Sequence, residues 1–302
     1  MTKIKVSGLN QKIRLDLYLT QLLQQKRNYI DKLLDNKMVL VNHELPIKKG
    51  QLIDNDFLIE VNPLVQNHIK IKATLNEVKI IYEDNDIIVI NKPKHTLVHP
   101  TKFDEQNTLV NALITKINLP DFDDQLRPGV VHRLDRDTTG LVVFAKNKHS
   151  YTKLVEQIQN KTLVRKYLAI VHNNFQDDFV LVKAPIDRSK QNILKMVVND
   201  SPKAKPAQTE ITVLENYRYT ALIECRLLTG RTHQIRVHLA YIHHPVYNDK
   251  LYGSYDGYKD YGQFLHAHYL SFIHPTTNQV VEFKVKPDQT FNSLITKLKG
   301  DK

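Results

Sequence analysis

The sequence predicts an α+β fold: a mostly antiparallel, mixed β-sheet domain preceded by a small α/β unit. Three observations carry this expectation. Near the start, two short stretches repeat apolar residues at helical spacing and are followed by two strand-like runs. From about Val78 onward, apolar runs are short, alternate with period two and are separated by short turn signals. Helical spacing returns there only in isolated stretches. Strands joined by turns, with few helices between them, favour antiparallel pairing over repeated β–α–β units.

The elements follow in order. In "RLDLYLTQLLQQK", residues 14 to 26, Leu15, Tyr18, Leu19 and Leu22 share one helical face. A second short helix places Ile30, Leu33 and Leu34 on one face and Arg27, Lys32 and Lys37 off it. "MVLVNHELP" and "DFLIEV" read as short strands, the first ending in a turn at Asn42-His43, and the unit closes near Val61. "NPLVQNHIK" sustains neither period and reads as a linker. "KIIYE", the turn "DND" and "IIVINKP" then form a hairpin-like start to the larger domain. "YTKLVEQIQN" is helical through Leu154, Val155 and Ile158. "TLVRKYLAIV" alternates, placing Leu163, Arg165, Tyr167, Ala169 and Val171 on one face. A strand "ALIECRLL", a helix from about Gln234 and a terminal hairpin "LHAHYLSFIHPTTNQVVEFKV" complete the pattern.

Composition narrows the class. The 302 residues suffice for two domains, and 41% hydrophobic with 25% charged residues is the balance of a soluble globular protein. A formal charge of +11 favours a polyanionic partner, nucleic acid before an anionic membrane surface, although lysine richness alone also raises the charge. The single Cys225 excludes an internal disulfide and a zinc site built on several thiolates, which fits a reducing cytosol. No run reaches the roughly 18 apolar residues of a membrane span. The start "MTKIKVSGLNQKIRLD" lacks the apolar core of a signal peptide, so a cytoplasmic protein is expected. Nine glycines in 302 residues is about 3%, against a usual ~7%.

Three charged clusters adjoin apolar strands. The first is "VHRLDRDTTGLVVFAK", with His132, Arg133, Asp135, Arg136 and Asp137; the second is Arg165-Lys166-Tyr167; the third is "LLTGRTHQIRVH". A carboxylate flanked by guanidinium groups tends to stay ionised, since a nearby positive charge lowers its pKa by about 1 to 3 units. Partly desolvated, it becomes a nucleophile or base at neutral pH. The same cluster also reads as an Asp–Arg network that only stabilises a loop, with Asp137 capping the turn at Thr138 and Thr139. A metal site from Asp135 and Asp137, two apart on an extended chain, fares worse, because alternating strand residues point to opposite faces and the neighbouring arginines repel a cation. His238, His243 and His244 form no HExxH pattern and read as core or solvated histidines.

Read together, "RPGVVHRLDRDTTGLVVFAK", "YEDNDIIVINKP…LVHP", "RKYLAIVHN", "APIDR", "LLTGRTHQIRVHLAYIHHPVYNDKLYG" and "FLHAHYLSFIHP" resemble, in order, the motifs of the RluA/RluD family of RNA pseudouridine synthases. The resemblance covers roughly residues 78 to 285. The first sixty residues resemble, more loosely, the small RNA-binding module named after ribosomal protein S4. The implied organisation is an S4-like domain over 12–62, a linker over 63–74 and a catalytic domain over 75–302. The resemblance implies that Asp135 is the catalytic aspartate, that Arg231 pairs with it, that Tyr167 stacks on the target base, and that Arg133 fills the space left by the flipped nucleotide. His132, Arg14, Arg27 and Lys32 are further candidates for RNA contact. This chain departs from the family mainly at glycines: Lys94-His95 stands where Ala-Gly is usual, Asn42-His43 where Asn-Gly is usual, and Lys37 and Asn248 where glycine is common. Asn or a basic residue in a left-handed turn would tolerate these changes.

The implied reaction breaks the bond between ribose and a uracil nitrogen, rotates the base and rejoins it through carbon. It conserves every atom, so neither a cofactor nor a metal is expected. The expected partner is RNA, large-subunit ribosomal RNA before transfer RNA, bound by a monomer. Two rivals remain open: a catalytically silent RNA-binding ribosome-assembly factor, and a metal-dependent nuclease using Asp135 and Asp137.

Overall fold

The computed structural model describes residues 2–24, 27–62, 78–101, 106–114 and 126–300, with only the backbone described at Asn28 and Lys32. The chain divides into two compact units, 1–69 and 70–302, each with its own core. The expected linker at 63–74 lies outside the described residues, as does the side chain of Lys32.

The first unit comprises β1 (Thr2–Lys5), β2 (Ile13–Arg14), α1 (Leu15–Leu22), α2 (Arg27–Asp35), β3 (Val39–Val41), β4 (Leu52–Ile53) and β5 (Leu58–Val61). The apolar helical faces meet as expected: Leu15 and Leu19 of α1 and Ile30 and Leu33 of α2 are fully buried with Val39 and Ile59. β1 pairs antiparallel with β5, so residues ahead of the expected start at residue 12 belong to this sheet. The β3 hairpin turns at Asn42 (φ 51) and His43 (φ 70), closed by hydrogen bonds between Val41 and Glu44. Two successive positive φ values define the tight turn that normally selects glycine. Here the Asn42 side chain compensates by accepting a hydrogen bond from the Leu58 N–H at 2.8 Å.

The second unit comprises β6 (Lys79–Glu83), β7 (Ile87–Lys92), α3 (Leu109–Leu113), β8 (Thr139–Ala145), α4 (Lys148–Gln159), β9 (Val164–His172), β10 (Phe179–Lys183), β11 (Ile186–Arg188), β12 (Met196–Val198), β13 (Gln208–Asn216), β14 (Thr220–Leu227), α5 (Gln234–Tyr241), β15 (Leu265–Ile273), β16 (Val280–Lys284) and α6 (Gln289–Gly300). Its main sheet runs β10-β13-β14-β9-β15-β8-β7-β6, with β16 also on β15. Every neighbouring pair is antiparallel except β15 and β8, which run parallel. The sheet is therefore mixed and mostly antiparallel, as the sequence predicts.

Strands β7 and β8 are apolar without alternation because both their faces are covered. On one side Ile88, Ile90, Val142 and Phe144 pack with Tyr167, Ala169 and Ile223. On the other, Ile87, Val89, Leu141 and Val143 pack with Leu154 of α4 and Leu270 of β15. The parallel junction of β8 and β15 depends on one residue. Gly140 has φ +109, and a Cβ there would lie 2.2 Å from the Ala267 carbonyl oxygen.

Two substitutions of opposite sign test this account. Gly140→Ala is expected to abolish folding or lower the unfolding free energy by more than about 4 kcal/mol. Lys37, exposed at φ 59 just past α2, holds a left-handed conformation that costs a non-glycine residue about 1 kcal/mol. Lys37→Gly is accordingly expected to raise stability in urea melts.

Candidate active site

The loop before β8 is held from below by a buried lysine. Lys92, at the end of β7, is 1% exposed, and its ammonium donates to the carbonyl oxygens of Pro93 (2.8 Å), Thr96 (2.7 Å) and Arg136 (2.8 Å). All three donors are used, and one of them pins the residue next to Asp135. Burial pushes the Lys92 pKa down to about 7, against the pull of Asp137 and Asp135. A tight turn from Asp135 to the Thr138 N–H (3.2 Å) and a hydrogen bond from Gln263 to the buried Thr138 hydroxyl (3.0 Å) complete the loop. Leu134, 3% exposed, anchors it in the core beside Tyr167.

The two aspartates of this loop face different partners. Asp137 lies 2.7 Å from His95 Nδ1, away from Asp135. Asp135 is met by a guanidinium, though not the expected one. The Asp135 Oδ2 accepts from Arg236 Nη1 at 3.1 Å, while Arg231 donates its Nε–H to the Pro206 carbonyl at 3.1 Å. The pairing assigned to Arg231 is thus made by Arg236. The reason is local geometry: Arg231 lies in the loop before α5, whereas Arg236 is the third residue of α5 itself, in a stretch in which Gln234 to Leu239 are all buried.

Arg236 is bound on both sides. Its Nε and Nη2 donate to Asp249 at 2.6 and 2.9 Å, and Asp249 is 1% exposed. Burial works against the Arg236 charge, but hydrogen bonds and charge from Asp249 and Asp135 outweigh it and hold the guanidinium above its ordinary pKa. The other Asp135 oxygen, Oδ1, faces His233 Nε2 at 4.0 Å. His233 adopts φ 55 at the start of α5, and its Nδ1 lies 2.8 Å from the Tyr252 hydroxyl. The Tyr252 hydroxyl also accepts from the Met196 N–H at 2.7 Å. Burial lowers the His233 pKa, although the Asp135 charge opposes it.

Tyr167 lies on β9 opposite Cys225 of β14 and is 4% exposed. Burial, reinforced by Asp135 although opposed by Arg165, raises its hydroxyl pKa to about 12. The structure thus brings Asp135, Arg236 and Tyr167 to one place. His132, a candidate for RNA contact, is turned inward instead: its Nε2 accepts from the Val143 N–H at 3.3 Å, and burial with the Arg165 charge pushes its pKa down to about 3. Alternation sends its neighbour Arg133 to solvent. In the first unit, Arg14 and Arg27 both reach the buried Asp16, Arg14 by two bonds of 3.0 and 2.8 Å and Arg27 by one of 3.1 Å. Both side chains remain substantially exposed beyond that pair.

Two histidines outside the site have structural partners, while His243 is exposed. His238 is buried between the Thr209 hydroxyl and the Ala184 carbonyl, both at 2.9 Å, and His244 stacks on Phe175. Asp84, Asp86 and His274 bring potential metal ligands together. However, His274 Nδ1 accepts from the N–H groups of Thr276 and Thr277, so its Nε2 carries the proton given to Asp84 and has no lone pair for a cation. The glycine departures behave as expected: Lys37, His43, His95 and Asn248 all have positive φ. Asn248 adds to its turn by bonding the Tyr258 and Gly262 carbonyls at 2.9 and 2.8 Å, which supports the neighbouring Asp249.

Arg236, Asp249 and Lys92 went unassigned in the sequence. For Arg236 a signal existed, since a lone arginine inside an apolar helical stretch must find a buried anion.

Comparison with known proteins places these residues in context. Residues 86–241 match the family described as RNA pseudouridylate synthase. The chain is 41% identical over 292 residues to an uncharacterized RNA pseudouridine synthase of Mycoplasma pneumoniae, covering 94% of this chain and 92% of that one. It is 37% identical over 292 residues to an uncharacterized RNA pseudouridine synthase of Bacillus subtilis, covering 91% and 96%. It is 34% identical over 302 residues to the ribosomal large subunit pseudouridine synthase D of Haemophilus influenzae, covering 95% and 92%. Among solved structures it is similar to human RNA pseudouridylate synthase domain containing 1, with TM-score 0.57 and 25% identity over 75% of this chain and 96% of that one.

The two arginines separate cleanly by experiment. Arg236→Met leaves Asp249 and Asp135 without their cation and is expected to lower the unfolding free energy by about 3 to 5 kcal/mol. Arg231→Met loses one hydrogen bond to a carbonyl and is expected to cost no more than about 1 kcal/mol in the same denaturant titration.

Proposed function

This chain belongs to the RNA pseudouridylate synthase family and isomerises uridine in RNA; we propose that its substrate is large-subunit ribosomal RNA and that Asp135 is the catalytic group. One observation carries the assignment of Asp135. It is the carboxylate whose loop is fixed by Lys92, whose Oδ2 is held by Arg236, and whose Oδ1 lies 4.0 Å from His233 Nε2.

A uridine within a paired helix must be flipped out, at a cost of a few kcal/mol. Stacking on an aromatic ring returns about 1 to 3 kcal/mol per base, and Tyr167 is the ring positioned to supply it. The exposed Arg133, one residue from the loop's buried anchor Leu134, takes the place the base vacates. With the base held on Tyr167, Asp135 Oδ1 acts at the sugar or the ring, and the base turns before rejoining through carbon. Ribose and uracil stay in one pocket throughout, so the reaction consumes and releases nothing.

The choice of ribosomal RNA is supported by near full-length similarity to a synthase named for the large subunit. For the first unit we propose an S4-like role, gripping RNA through the exposed sides of Arg14 and Arg27. The lone, buried Cys225 supports a reducing compartment, the cytosol, and no helix among the described residues is long and apolar enough to cross a membrane.

Asp135→Asn is expected to bind RNA and form no pseudouridine in transcripts treated with the purified protein; formation at the wild-type rate would remove Asp135 from the chemistry. Mapping pseudouridine in cells with and without the protein is expected to show sites lost from large-subunit ribosomal RNA. Losses confined to transfer RNA would overturn the substrate assignment. Binding is also expected to weaken steeply with salt, as counterions are released from neutralised phosphates.

A further inference from the structure

Arg165 lies two residues before Tyr167 on β9, on the same face of the sheet, and is 6% exposed. A buried guanidinium ordinarily sits against a carboxylate, as Arg236 does, because an unpaired charge in the interior is costly. Among the described residues Arg165 has no such partner. Its Nε is buried with no acceptor, and no carboxylate among the described residues forms an ion pair with it. Nor does crowding explain it, for the chain makes room: Gly230, in the loop before α5, stands where a Cβ would lie 3.0 Å from Arg165 Nη1.

A second donor nearby is also unpaired. Because His132 Nε2 accepts from the Val143 N–H, its proton is on Nδ1, and that buried Nδ1–H has no acceptor. Arg165 is close enough to His132 to depress its pKa and close enough to Tyr167 to act on its hydroxyl. An unpaired cation beside an aromatic plane, in a site shielded from water, is an arrangement suited to charge that appears only during reaction.

The reaction generates such a charge. When the C1′–N1 bond breaks, its electron pair leaves with uracil, and the negative charge spreads over N1, O2 and O4. The rotated ring then returns a pair from C5 to C1′, the C5 proton departs and N1 takes one up, so the product is an isomer with no net gain or loss. Attack at the sugar, elimination from it, or addition to the ring all place the transient charge on uracil.

We propose that Arg165 is the anion site of the uracil pocket, receiving the negative charge that the ring carries while it is detached from or activated at the ribose. This rests on the placement of the base against Tyr167 and of Asp135 beside it. A backbone phosphate of the flipped nucleotide is the other anionic oxygen that could meet the same guanidinium, and kinetics separates the two. Charge that develops only in the transition state affects kcat, whereas a phosphate present in the ground state affects KM.

The experiment compares Arg165→Met, Arg165→Lys and Arg165→Ala with wild type on a structured RNA transcript, with Asp135→Asn in parallel. Arg165→Met is expected to lose about 10²- to 10³-fold in kcat, the effect of removing one preorganised donor to a developing anion, with KM unchanged. Arg165→Lys is expected to keep part of the activity, and added guanidinium ion to restore part of it to Arg165→Ala. Thermal melting should show Arg165→Met at least as stable as wild type, because a buried unpaired charge has been removed. A raised KM with intact kcat would assign Arg165 to phosphate and overturn the proposal. Lost thermal stability accompanying lost activity would make it structural, with the same consequence. Full activity in Asp135→Asn would instead overturn the aspartate assignment, which the Arg165 variants do not report on.

Discussion

The site depends on one cation placed in the interior. Arg236 projects from α5 between Asp249, which takes two of its nitrogens, and Asp135, which takes the third. The helix and the nearby loop carrying Asp249 lie about a hundred residues from the loop before β8, and this guanidinium is the point at which they agree. A buried ion pair adds little net stability, but breaking one is severe. Its value here is geometric: it makes the direction of the Asp135 carboxylate a property of the folded core rather than of a surface loop. Lys92 secures the same loop through its backbone. One interaction sets the carboxylate and the other sets the chain that bears it.

Arg165 is the counterpoint. The same pocket contains an arginine satisfied on every side and another with no partner among the described residues. A fold that can supply two aspartates to Arg236 has the means to neutralise Arg165 and does not. Strain of this kind is retained where a ligand completes the arrangement. The left-handed His233, which faces Asp135 from the first residue before α5, belongs to the same group of locally unfavourable features gathered around the site.

Much of this was legible in the sequence. Alternation over "RKYLAIV" placed Arg165 and Tyr167 on one face, and the structure buries both there. The unbroken apolar runs "IIVI" and "LVVFA" read as strands because such runs are short and β-branched, and both prove to be covered on two faces. The partner of Asp135 was not legible. Arg231 and Arg236 are five residues apart across a loop–helix junction, with the left-handed backbone of His233 between them. Periodicity cannot register a single positive φ. His132 was misplaced for a related reason: in an irregular loop no period tells a buried histidine from an exposed arginine beside it. Strand β1 escaped notice because "TKIK" carries one apolar residue in four and acquires its role only from pairing with β5.

The position of β15 has a consequence for how the enzyme comes into being. It lies between β9 and β8, joining the Tyr167 strand to the strand that follows Asp135, yet it is almost the last strand in the chain. Until residues 265–273 have been synthesised, the two halves of the sheet have no common neighbour, and the aspartate and the tyrosine belong to separate fragments. Long-range closure of this kind is slow compared with local pairing. A chain still emerging from the ribosome therefore lacks, until β15 is made, the strand that joins the Tyr167 strand to the one following Asp135.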